Sequence, residues 1–78
     1  MHGEQTDNKQ VLVEGDLSQA DLKSLLEAAQ AAWDALPPRG RVARFEWNGR
    51  KYRAKSTLFR LSVMSADNRR YIAYRWND

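Results

Sequence analysis

The hydrophobic period of this chain changes at Pro37-Pro38, and that change limits the fold more than any other feature. Before the prolines, Leu22, Leu25, Leu26, Ala29, Trp33 and Leu36 recur at three- and four-residue steps, which puts them on one stripe of a helix. From Arg41 onward the period is two, the signature of half-buried strands. Two consecutive prolines remove two backbone donors and push residue 36 out of helical geometry, so the helix stops there. Its start is marked by Ser18-Gln19-Ala20-Asp21, which has capping-box spacing with Asp in place of Glu or Gln. Leu17 and Leu22 occupy the two staple positions, and Asp21 lies where the helix dipole favours a carboxylate. The spacing predicts a helix over 19–36.

Turn chemistry then sets the strands. Asn48-Gly49 is a type I′ signal, and centring a turn there pairs Trp47 with Arg50, Phe45 with Tyr52 and Ala43 with Ala54. A tight turn at Ser56-Thr57 pairs Ala54 with Phe59 and Tyr52 with Leu61. A third, around Asp67-Asn68, pairs Val63 with Ile72, Leu61 with Tyr74 and Phe59 with Trp76. With these registers one face carries the apolar rows Phe45–Tyr52–Leu61–Tyr74 and Ala43–Ala54–Phe59–Trp76. A third row, Trp47–Arg50–Val63–Ile72, has one polar member. A one-residue slip of any strand would send its half of these rows to solvent.

The expected fold is α+β: one amphipathic helix packed on an antiparallel four-stranded meander. Val11-Leu12-Val13 adds a short edge strand and makes the order β-α-β-β-β-β. Residues 1–10 read as a disordered polar tail, and 11–78 as a single domain. A chain of 78 residues buries only about 60–65% of its unfolded surface, so packing must be efficient. There is no cysteine to add a disulfide or a thiolate site. No apolar run approaches a membrane span, and Met1-His2-Gly3-Glu4-Gln5 lacks the order of a signal peptide. A soluble cytoplasmic protein with no membrane partner is the expectation.

Charge is divided along the chain. Residues 1–38 carry two lysines against seven acids, whereas residues 39–78 carry nine arginines and two lysines against three acids. Such a split suits a partner with a strong negative field, although an acidic helix and a basic sheet also balance each other within one fold. The predicted registers place Arg44, Arg53, Arg60 and Arg75 in one row across the open face, with neighbours about 4.8 Å apart. Directly opposed like charges destabilise a sheet, and a bound anion would reverse the sign of that interaction. Arginine suits phosphate because its planar fork makes two parallel hydrogen bonds. Lys51 and Lys55 flank the row, and Arg69-Arg70 lie beside the last turn.

The predicted function is therefore a non-enzymatic domain that binds nucleic acid, or another polyanion, through Arg44, Lys51, Arg53, Lys55, Arg60, Arg75, Arg69 and Arg70. Among the aromatics, the registers leave mainly Tyr71 on the open face, which favours duplex DNA over a stacking surface for single strands. The bland counterpart is a solvated face whose arginine stems shade the sheet.

Two other function classes are open. An inhibitor or adaptor could dock the same face on an acidic protein. The small-residue stripe Ala20, Ser24, Ala28, Ala31 and Ala35 could seat a homodimer, though exposed alanines are also simply good helix formers. A small basic ribonuclease toxin is the enzyme alternative, by size and charge alone. Catalytic machinery is otherwise thin. His2 is the single histidine and lies in the tail, no His/Cys/Asp/Glu cluster suggests a metal, and Gly3, Gly15, Gly40 and Gly49 are isolated rather than a phosphate loop. Glu46 opposite Lys51 reads as a cross-strand ion pair rather than a general base. No cofactor is expected.

Overall fold

The computed structural model of the protein describes residues 9–67 and 69–77. Residues 1–8 of the expected tail lie outside that range. Ser18 opens the helix as expected: its extended backbone leaves the helical region, and its Oγ accepts the N–H of Asp21 at 3.1 Å. Helix α1 spans Gln19–Asp34. Leu22, Leu25, Leu26 and Ala29 are buried along its stripe, and Trp33 and Leu36 pack partly buried against the same cluster. The last turn tightens before the prolines, with Leu36 N–H donating to the Trp33 carbonyl at 3.1 Å.

The strands are β1 (Gln10–Leu12), β2 (Ala43–Trp47), β3 (Arg50–Ser56), β4 (Arg60–Ser65) and β5 (Tyr71–Trp76). They form one antiparallel sheet in the order β1-β5-β4-β3-β2, with α1 across one face. The N-terminal strand thus joins its own sheet, pairing Val11 with Tyr74 and Leu12 with Ala73. It runs one residue earlier than expected, and its edge is extended by Val13 and Glu14, whose N–H groups both donate to the Ile72 carbonyl.

The first hairpin has the predicted register throughout, from Ala43↔Ala54 to Trp47↔Arg50. Asn48 and Gly49 take φ of 53° and 80°, the two positive values that a type I′ turn needs. The second hairpin differs. Its loop is Leu58-Phe59, not Ser56-Thr57, and Ala54 pairs with Val63 rather than Phe59. Thr57 does form the turn, but from the position before the loop. Its Oγ1 accepts the N–H groups of Phe59 and Arg60, each at 3.2 Å, which holds the chain in a hydroxyl-bonded turn. Moving the loop by two residues shifts the register by an even number, so β4 keeps its predicted facing.

The third turn begins where expected. Ser65 N–H donates to the Arg70 carbonyl at 2.9 Å, and Met64 pairs with Tyr71. The register then changes by one residue at a bulge, because Val63 pairs with Ala73 and Ile72 is the extra residue of β5. Ile72 and Ala73 both pack on the helix side. Beyond the bulge every side chain of β5 faces the opposite way from the prediction. Tyr74 and Trp76 leave the core, and Arg75 enters the helix side.

Packing explains why. The row directly under α1 is Ala43–Ala54–Val63–Ala73, each at most 1% exposed, and it meets Leu25, Leu26 and Ala29 in one buried cluster. Small side chains let the helix lie close to the sheet. Tyr74 and Trp76 in that layer would have held it away.

Candidate nucleic-acid interface

The open face is built from alternate residues of all five strands. In register, Arg44 lies directly opposite Arg53, and Arg53 opposite Met64, which pairs in turn with Tyr71. Glu46 lies opposite Lys51. Lys55 pairs with Ser62 and Ser62 with Tyr74, while Arg60 pairs with Trp76. The predicted four-arginine row is therefore broken. Arg44 and Arg53 remain side by side, but the place opposite Arg53 is taken by Met64, and Arg60 lies four residues before it, at the start of β4. Arg75 is on the other face, where its guanidinium donates to Gln30 Oε1 of α1 at 2.6 Å. It is a part-buried link between helix and sheet, not a surface cation.

The remaining two candidates sit at the β4–β5 turn. Arg70 forms an ion pair with Glu14 at 2.5 Å and ties the turn to the β1–α1 loop. Arg69 is exposed, and its backbone N–H donates to Asp67 Oδ1 at 3.1 Å. The hydroxyl of Ser65, donated to the Asp67 carboxylate, holds that carboxyl below its ordinary pKa, with the Arg69 N–H adding to the effect. This turn is closed by its own hydrogen bonds.

The sheet face has two halves of different chemistry. On β2 and β3, Arg44, Lys51 and Arg53 line a shallow hollow of about 450 Å³ together with Phe45, Glu46 and Ala66. Arg44 and Lys51 are exposed and Arg53 is half-buried. Among the described residues, none of Arg44, Lys51, Arg53 and Lys55 forms a salt bridge.

On β4 and β5 the chemistry is aromatic. The Arg60 guanidinium lies 4.7 Å from the ring centre of Tyr74, 5.4 Å from Tyr71 and 5.7 Å from Trp76. Tyr74 and Trp76 meet edge to face at 5.2 Å. Such contacts hold a cation by the negative ring faces, at about 0.5–1 kcal/mol each where exposed. Tyr71 and Trp76 keep 49% and 42% of their surface open to solvent. Beneath them Ser62 and Met64 are only 7% exposed, so the face has a packed floor. Tyr74 and Trp76 are the site residues that sequence reasoning missed. The adjacent apolar pair Ile72-Ala73, which breaks strict alternation, was the one available sign of a phase change.

A second hollow, of about 560 Å³, lies at the Asn48-Gly49 end and is lined by Trp47, Arg50, Tyr52, Leu17 and Asp16 among others. Its walls carry both signs of charge, including the Glu14–Arg70 pair, so it is the poorer fit to a polyanion. The described residues hold no cluster of three His, Cys, Asp or Glu side chains able to bind a metal ion. No helix among them is long and apolar enough to cross a membrane. These features define a small helix-on-sheet domain with an open, basic and aromatic face. No family model, curated protein or solved structure gives a significant match to this chain.

Proposed function

We propose that the open sheet face is a binding surface for the phosphate backbone of nucleic acid, with Arg44, Lys51, Arg53 and Lys55 as its cations. The observation that carries this reading is the direct pairing of Arg44 with Arg53, beside Lys51, in one open hollow. Two like charges opposite each other on neighbouring strands oppose folding. Phosphates between them replace repulsion with charge-assisted hydrogen bonds, and arginine forks can hold each phosphate through two donors. Arg69 is exposed at the β4–β5 turn, whereas Arg70 is already engaged by Glu14 and Arg75 by Gln30. The role is one of binding, and no catalytic step is assigned to these side chains.

An NMR titration of labelled protein with a short mixed-sequence oligonucleotide tests the reading. Amide shifts should gather on residues 44, 51, 53 and 55 and fade as salt rises, because each neutralised phosphate releases counterions. No shifts at low salt, or shifts confined to α1, would refute it.

A further inference from the structure

We infer that the nucleic acid taken by this face is single-stranded, with its unpaired bases stacked on the Tyr71–Tyr74–Trp76 platform beside the basic hollow. The inference rests on the phosphate-binding reading above and adds what the bases do.

The bulge at Ile72 is the structural cause. It turns Tyr74 and Trp76 out of the core and onto the same face as Arg44, Lys51, Arg53 and Lys55. Three rings then stand together on one side of the sheet, Tyr71 and Trp76 about half open to solvent and Tyr74 partly buried between them, next to Ser62 and Met64, which solvent hardly reaches. A packed floor keeps the platform in place before any ligand arrives. Soluble domains have little reason to gather exposed tyrosine and tryptophan around a guanidinium unless that surface meets something. A duplex presents its phosphates and groove edges but hides its base faces, so it could use the basic hollow while leaving the rings idle. A single strand uses both halves, since every base has a π-face to lay on a ring.

The registers also match the ligand. Arg53, Met64 and Tyr71 form one row across β3, β4 and β5, and Lys55, Ser62 and Tyr74 form another. In each row a cation stands two strands from a ring, about 10 Å away along the sheet. That separation lets one strand lay its phosphates on β3 and turn its bases onto β5. Arg60 already rests against all three rings, at 4.7–5.7 Å, and marks where a flat, π-binding group settles. Its guanidinium plane can share the stack with a base or give up its ring to one and move to a neighbouring phosphate.

Fluorescence anisotropy on the full chain separates the two readings. The probes are a labelled mixed-sequence strand in DNA and in RNA form, the corresponding duplex, and an abasic DNA strand of equal length that keeps every phosphate. The base-bearing strands should bind at least about tenfold more tightly than the abasic strand, and more tightly than the duplex. Trp76→Ala and Tyr71→Ala should each weaken the base-bearing strands by roughly five- to a hundredfold and leave the abasic strand unchanged. Arg53→Ala should weaken both alike. A preference between the DNA and RNA forms reports contact to the 2′-hydroxyl, and single-strand binding by either form supports the inference. Equal binding of abasic and base-bearing strands, or a preference for duplex, overturns base stacking and leaves the phosphate-binding surface standing. Absence of binding by every probe at low salt overturns both. The abasic comparison uses the unaltered protein, so its result does not depend on whether any variant folds.

Discussion

Gly49 is a residue at which backbone geometry leaves little choice. Its φ of +80° lies in the left-handed region, and a Cβ built there meets no atom within 4 Å. The cost of Gly49→Ala is thus conformational rather than steric. It should destabilise the domain by about 1–2 kcal/mol, read as a lower urea midpoint with an unchanged slope. Asp67 makes a second residue-level prediction. Hydrogen bonds from the Ser65 hydroxyl and the Arg69 N–H favour its ionised form, so its carboxyl should titrate below the ordinary aspartate value of about 3.9 when followed by NMR. A folded pKa below the unfolded one means that the carboxylate stabilises the turn above the unfolded value. That contribution is lost as pH falls through the folded pKa, so the β4–β5 turn should loosen only in acid. Asp67→Asn should remove this acid-dependent step from the amide shifts of Ser65 and Arg69.

At the scale of elements, local chemistry and tertiary packing divide the work. Helix α1 is capped by Ser18, and Ser18→Ala should cost about 1 kcal/mol, seen as a lower melting temperature. The layer beneath α1 is filled by alanines, so Ala54→Leu should overpack it and cost roughly 1–3 kcal/mol by the same measurement. The capped start of the helix and the Asn48-Gly49 hairpin could both be read from the sequence, because their causes lie within a few residues. The second turn was half legible. Ser56 and Thr57 are both turn formers, and only the hydroxyl bonds of Thr57 to Phe59 and Arg60 decide that the loop follows them. The phase of β5 was legible only as a hint, in the adjacent apolar pair Ile72-Ala73. Tyr71-Ile72-Ala73-Tyr74-Arg75-Trp76 can bury either alternate set, and the choice is made by the alanine row under the helix, far away in sequence. The candidate site inherits this history. Its basic half on β2 and β3 follows from one turn, while its aromatic half depends on a bulge, so the sequence pointed to duplex backbone where the geometry favours unpaired bases.

Across the whole molecule, charge is sorted by layer. Asp21, Glu27 and Asp34 are exposed on α1, on the far side of the sheet from Arg44, Lys51 and Lys55. A net charge of +3 therefore understates the field that a polyanion meets at the open face. Net charge and local charge make different predictions. If four side chains each neutralise one phosphate of a single strand, the logarithm of affinity should fall against the logarithm of salt with a slope of about −3. Arg44→Ala with Lys51→Ala should reduce that slope to about −1.4, because two phosphates then keep their counterions. Glu27→Gln and Asp34→Asn raise the net charge but stand on the other layer. They should leave the slope unchanged, since it counts phosphates neutralised and not the total charge of the protein. Anisotropy titrations over several salt concentrations measure all three cases. A slope that followed net charge instead, rising with the helix substitutions as much as it fell with those on the sheet, would mean that the strand is held by a diffuse field. A fixed track across β2 and β3 requires the slope to respond to the sheet alone.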